Sequence, residues 1–390
     1  MRSCLVAAGA LGALGLATGT VIGVQTAAGS DASAVATTVT PSTATDPLVA
    51  VGGRGGYGYR SGSGGGWTPG GLGGHGSTTT PGSSATPTVT AATEATADQL
   101  VGVVDITTVL GYQGVEAAGT GMVLTADGEI LTNDHVIEGA TSITVTVLST
   151  GESYPATVVG TDPTDDVAVL QLADATGLDT VEIDADGVAV GDAVTAVGNA
   201  GGATGTSAAA GTVTALDQSI TATDESGQDV EQLTGLIEVA ADIVAGDSGG
   251  PLYDAQGEVV GMDTAAASTG GQAYAIPIGT ALAIVEQIED GVDDETVHQG
   301  YPAFLGVSVL GSGAGGATVA GVVTGGPADQ AGLTAGAVIT AVGGTTITTA
   351  DDVTSALTGY EPGDSVPVTW TDATGTAQTA TVVLTTGPAD

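Results

Sequence analysis

Residues 142–172 read SITVTVLSTGESYPATVVGTDPTDDVAVLQL. Three short Val/Ile/Thr-rich runs, SITVTVL, ATVVG and VAVLQL, are broken by Gly, Ser, Pro and Asp, the residues that favour turns over continued strand. The texture extends in both directions. Upstream lie VGVVDITTV, GMVL and EILT; downstream lie AVTAVG, GTVTAL, TGLIEVA, VVGMDT and AYAIPI. Runs of four to eight residues at close, regular spacing predict an all-β body, an antiparallel sandwich or barrel pair. TALAIVEQIEDG at 280–291 is predicted as a helix, with Leu282, Val285 and Ile288 at three-residue spacing and Gly291 as a stop.

The chain has 390 residues, enough for two or three domains with real cores. Its 44 Asp+Glu against 3 Lys+Arg give a net charge of −41, and the three bases are Arg2, Arg54 and Arg60. A nucleic-acid or anionic-membrane partner is therefore excluded for the body, because both are bound by neutralising phosphates with Lys and Arg. The aromatic fraction is 3%, so the core must be built from Val, Ala, Leu and Ile. Such one-sided acidity repels itself in dilute buffer, and the body should gain stability when salt screens it. The single Cys4 permits no intramolecular disulfide.

Residues 4–24 carry no charge and follow Arg2 and the α-amino group, a length that suits a membrane anchor as well as a cleaved signal peptide. Either exports the body, leaving it outside the cytoplasm, on the cell membrane or secreted. Residues 25–95 are rich in Gly, Ser, Thr and Pro without a period of 2 or 3.6, which predicts a flexible linker.

Three strings carry chemistry. TNDHVIEGA holds His135, TDPTDDVAVLQL holds Asp166 at the start of an apolar run, and GDSGGPL holds Ser248. A serine hydroxyl is a feeble nucleophile at neutral pH. It needs an imidazole to take its proton and a buried carboxylate to fix the imidazole's tautomer. His135, Asp166 and Ser248 supply these in order. Asp165 competes with Asp166 as the orienting acid; Asp166, directly before the VAVL run, is preferred, and Asp165 is read as a solvated turn residue. The Gly246-Asp247-Ser248 backbone is shaped to aim N–H groups at an oxyanion, chiefly through Gly246 and Ser248.

These strings resemble the HtrA (Deg) family of chymotrypsin-fold serine proteases. The resemblance runs collinearly through GEILTNDHVI at 128–137, VVGTDPTDDVAVLQL at 158–172, VGDAVTAVGNAGG at 190–202, GTVTAL at 211–216, GDSGGPLYDAQGEVVGMDT at 246–264 and GQAYAIPI at 271–278. It implies two six-stranded antiparallel β-barrels over residues 96–291, with the active site between them. Asp134 stands where the family commonly has a different polar residue and is read as surface charge. Asp247 and Asp242 replace other residues of the family's pattern. By the resemblance, Asp242, six residues before the nucleophile, lies at the base of the specificity pocket, where an acid selects Lys or Arg. The alternative is that Asp242 faces solvent or pairs with a loop N–H.

Residues 300–390 contain FLGVSVL, GGPADQAGLTAG and TADDVTSAL, which resemble a PDZ domain of the HtrA type, a small α+β module. Consecutive N–H groups at Leu305, Gly306 and Val307 would hold the terminal carboxylate of a C-terminal peptide, and Thr349 or Asp351 would cap the groove helix. Phe304 is read as packing. IDADGVAVGD at 183–192 resembles a calcium loop but lacks the ligand spacing and terminal Glu, so a turn before a strand is expected, with no metal and no cofactor.

Together these readings point to an exported, ATP-independent serine endopeptidase acting on unfolded or damaged proteins. The resemblance adds homotrimers. A secreted digestive protease with basic-residue specificity and a peptide-binding chaperone or adaptor are the rival classes.

Overall fold

The computed structural model describes residues 49–50, 89–112, 114–199, 205–223, 230–266, 271–294, 296–313 and 315–389. The anchor or signal segment 1–24 and most of the linker 25–95 lie outside the described residues. Among the described residues no helix is long and apolar enough to cross a membrane.

The opening stretch folds as its punctuation demands. β1 (Val103–Leu110), β2 (Val115–Val123), β3 (Glu129–Thr132), β4 (Ser142–Val147), β5 (Ser153–Asp162) and β6 (Val167–Leu172) form an antiparallel sheet in the order β5-β4-β1-β2-β3-β6. β6 pairs back onto β5, from Asp162↔Val167 to Ala156↔Leu172, and closes a six-stranded barrel. Alternation along β4 explains its orientation: Ile143, Val145 and Val147 are buried, while Ser142 and Thr144 face water. The interior is filled by Val104, Ile106, Ile130, Ile143, Val145 and Leu170, each contributing roughly 1.5–3 kcal/mol by leaving water.

β7 (Ala193–Gly198), β8 (Ser207–Thr223), β9 (Val230–Ala240), β10 (Pro251–Tyr253), β11 (Val259–Ala266) and β12 (Ala273–Pro277) form a second closed barrel, in the order β8-β9-β12-β11-β10-β7 with β7 returning to β8. Its core is lined by Ala196, Ala209, Ala273 and Ala275 beside Val194 and Val239, the small-residue packing that a chain this poor in aromatics requires. A third cluster joins the barrels, with Met122, Leu131 and Val169 of the first meeting Leu236, Met262 and Ile276 of the second. The predicted helix appears as Ile278–Glu289, burying Ala281, Ile284, Val285 and Ile288, with Gly291 beyond it at φ 73°.

His298–Gln299 pairs with Thr161–Gly160 on β5, so the passage to the next module falls just after it. There β15 (Val307–Gly313), β16 (Gly316–Val322), β17 (Val338–Val342), β19 (Ser365–Thr371) and β20 (Ala377–Val383) form one antiparallel sheet, with the two-residue β18 (Thr345–Thr346) on β17. β13 is the His298–Gln299 pair, and β14 (Ala303–Phe304) pairs with β21 (Thr385–Thr386). Trp370, Ile339 and Val366 pack beneath the helix Ala350–Leu357. Of the two caps anticipated from sequence it is Thr349 that caps that helix, its hydroxyl accepting from the Asp352 amide while the Asp352 carboxylate accepts from the Thr349 amide; Asp351 lies in the first turn.

Candidate active site

β3 runs into the short helix α1 (Asp134–Ile137), which presents His135, while the turn between β5 and β6 presents Asp166. Both carboxylate oxygens of Asp166 lie 3.0 Å from His135 Nδ1, and the His135 amide donates to Oδ1 at 3.1 Å. Asp166 is buried at φ 56°, a left-handed conformation that Asp tolerates better than most residues. Its carbonyl accepts from Asn133 Nδ2 at 2.9 Å, so backbone and side chain are both fixed against the histidine segment. Asp165 is a half-buried turn residue whose amide donates to Asp162 Oδ1. Asp134 is 5% exposed, which corrects its reading as surface charge: the helix turns it inward beside His135.

The second barrel brings Ser248 to this pair through a residue that sequence reasoning passed over. Thr264 Oγ1 donates to Asp166 Oδ2 at 2.5 Å, and the Thr264 carbonyl accepts from Ser248 Oγ at 3.3 Å. One residue of β11 thus touches both Asp166 and Ser248. Nothing in the spacing of VVGMDT marks that role, which depends on two barrels meeting. Thr120 does similar work at the loop: its hydroxyl donates to the Gly246 carbonyl at 2.6 Å and its amide to the Ser248 carbonyl at 2.8 Å. Gly249 stands at φ 83°, and a Cβ there would fall on the Thr120 carbonyl and the Thr132 hydroxyl. The close approach of the barrels therefore needs glycine.

Of the three amides expected at an oxyanion site, that of Asp247 is spent on the Val244 carbonyl at 3.1 Å, closing a turn. Those of Gly246 and Ser248 have no acceptor among the described residues, and Gly246 at φ 99° gives the turn its direction.

Acid surrounds the Ser248 loop. Asp247 is buried, accepting from Ser207 Oγ at 2.9 Å and the Val244 amide at 3.0 Å, and burial pushes its carboxyl up to about 6, with the Asp242 charge adding to it. Asp263 is wholly buried, and neither of its oxygens is hydrogen-bonded among the described residues. Burial first, and the Asp247 charge second, hold it well above the usual carboxylate range. Asp242 is half-buried, and its Oδ2 accepts from the Ala92 amide at 3.3 Å, a loop N–H partner. Asp184, in the loop with calcium-like acids, accepts from the amides of Asp186 and Gly187 and forms a turn before β7.

In the C-terminal module, Leu305 and Val307 are buried and Gly306 has φ 75°. The Leu305 and Gly306 carbonyls accept from Ala328 and Val323, while the amides of Leu305 and Gly306 have no acceptor among the described residues. β15 is the edge strand of its sheet, next to the helix Ala350–Leu357, so a peptide strand can add there. Phe304 is packing: its ring stacks on Tyr112 at 5.3 Å.

Residues 119–262 match the model of a trypsin-like peptidase domain and residues 318–370 that of a PDZ domain. The chain is 34% identical over 277 residues to a DegP-like periplasmic serine endoprotease of Brucella suis biovar 1, covering 66% of this chain and 51% of the relative. It is 33% identical over 306 residues to the serine protease PepD of Mycobacterium tuberculosis, covering 75% and 65% respectively. The chain thus spans about half to two thirds of the length of these curated relatives. A solved serine endoprotease of Yersinia pestis aligns at 27% identity and a TM-score of 0.42, over 75% of this chain and 99% of that one. The chain thus carries a trypsin-like serine peptidase domain joined to a PDZ module after it, and its relatives are DegP-like and PepD serine proteases.

Proposed function

We propose that this protein is an extracytoplasmic serine endopeptidase that hydrolyses unfolded proteins and binds peptide C-termini through its PDZ module. The observation that carries the reading is the hydrogen-bonded line from Ser248 through Thr264 to Asp166 and His135. In the reaction, the Ser248 hydroxyl turns from the Thr264 carbonyl toward the His135 imidazole, which takes its proton as Oγ attacks the scissile carbonyl carbon. The Gly246 and Ser248 amides hold the oxyanion, and His135 gives the proton to the leaving amine. Water then repeats the sequence on the acyl-enzyme, releasing the carboxylic acid and restoring Ser248. Asp166 holds the ring through Nδ1 and steadies the imidazolium.

Leu305, Gly306 and Val307 are the groups we assign to a peptide's terminal carboxylate, with the peptide continuing along β15. Residues 4–24 act as anchor or signal, 25–95 as tether, 96–291 as protease and 300–390 as PDZ module; assembly is as homotrimers. Incubating the full chain with unfolded casein and a serine-directed fluorophosphonate tests the reading. The expected result is casein cleavage with the label on Ser248. Label on another residue, or cleavage that survives Ser248→Ala, would overturn it.

A further inference from the structure

The two modules touch at one place whose position bears on the chemistry. After β21, the chain continues as Gly387–Ala389 and lies against the segment that follows the His135 helix. The Gly139 amide donates to the Ala389 carbonyl at 2.9 Å, and the Ala389 amide donates to the Ala140 carbonyl at 2.8 Å. This reciprocal pair works like a short strand added to Gly139–Ala140. Ala389 has no exposed surface and packs in the same apolar cluster as Val136, Ile137 and Ala140, the residues that seat the histidine helix in the first barrel. At its other end the segment is tied to the PDZ module. Gly387 donates to the Pro302 carbonyl at 2.8 Å, and Thr385–Thr386 pair with Ala303–Phe304, which run directly into Leu305–Val307. Phe304 itself stacks on Tyr112 of the protease barrel.

We propose that Gly387–Ala389 is a positioning strap by which the PDZ module holds the His135 helix in register with Ser248. A four-residue helix is too short to hold itself rigid, so its placement depends on the groups that bond and pack against it. The strap supplies two backbone hydrogen bonds and a buried methyl within five residues of the imidazole. The inference rests on the serine protease reading above, and its test separates the two.

The full chain is compared with a chain ending at Thr386 and with Ala389→Pro, which removes the amide that bonds Ala140, and Ala389→Gly, which keeps it. The substrate is a chromogenic peptide too short to reach the PDZ module. Truncation and Ala389→Pro are expected to lower kcat by about tenfold, the order expected from losing a buried hydrogen bond and stranding its acceptor. KM should stay within twofold, and the acid limb of the pH–rate profile should move, because the disturbed group is the general base. Ala389→Gly, which keeps both hydrogen bonds and loses only the methyl, should fall much less than Ala389→Pro. Trp370, buried in the PDZ core, reports by its fluorescence that the module stays folded. Full kcat and an unmoved acid limb in the truncated chain would overturn the strap. If truncation unfolds the module, equal kcat for Ala389→Pro and Ala389→Gly would overturn it instead. Failure of the fluorophosphonate to label Ser248 in the full chain would count against the protease reading, whatever the strap variants show.

Discussion

Thr264→Val removes one hydroxyl while keeping the branched shape and the carbonyl that accepts from Ser248. In the native protein that hydroxyl donates at 2.5 Å to a carboxylate 1% exposed, alongside the amide and ring of His135. A hydrogen bond to a buried charged group is worth about 1.5–3 kcal/mol. Asp166 must hold its charge most firmly when His135 becomes imidazolium, so most of the loss falls on the transition state. The expected drop in kcat/KM is about 10- to 150-fold, carried by kcat, because the Thr264 hydroxyl is spent on the Asp166 carboxylate. Thr264→Ser, which restores the donor, should recover most of it. Steady-state kinetics on a short peptide, with Ser248 phosphonylation rates as a second readout, would measure this. A Val variant within twofold of wild type would refute the role assigned to Thr264, and a Ser variant as slow as Val would show that packing, not the hydroxyl, is at stake.

Gly249→Ala should abolish activity and destabilise the fold by several kcal/mol, since its Cβ meets backbone from the first barrel at a left-handed φ; a melting temperature close to wild type would contradict that. Asp263 keeps its proton in the folded state well above the pH at which an unfolded chain loses it, near 4. Stability conferred by the bound proton is therefore present in acid and lost as pH rises toward the folded value. Asp263→Asn, which has no proton to lose, should gain denaturant resistance relative to wild type more at pH 8 than at pH 5, and parallel curves at the two values would exclude the effect. Because the Asp242 carboxylate is placed on the Ala92 amide, Asp242→Asn should change the ratio of cleavage after Arg to cleavage after Val by less than about threefold; a collapse of Arg cleavage would show that the carboxylate serves the pocket instead.

Much of this was legible in the sequence because it is local. The spacing of SITVTV and VAVLQL, the turn residues between them and the apolar stripe of the helix Ile278–Glu289 depend on neighbours within a few residues. The strings around His135, Asp166 and Ser248 were legible by resemblance. What escaped was whatever depends on two distant segments meeting. Thr264 looks like any strand threonine until β11 is laid against the β5–β6 turn, and Thr120 until it faces Gly246. Asp134 looked solvated because charged residues beside a helix start normally are. Thr349 and Asp351 both suited the cap, and only the extended backbone at Thr349, which lets its hydroxyl reach the Asp352 amide, selects it. The burial of Asp263 inside a barrel, without a cation anywhere after Arg60, is a tertiary fact that composition only hinted at.

The central claim is that His135, fixed by Asp166, activates Ser248. The rate at which a fluorophosphonate modifies Ser248, followed by mass spectrometry of the Ser248 peptide in wild type, His135→Ala and Asp166→Asn, addresses it without any assumption about substrate. The account expects modification at Ser248 alone in wild type and a fall of about three to four orders of magnitude in either variant. Modification of Ser248 at the wild-type rate without His135 would contradict it.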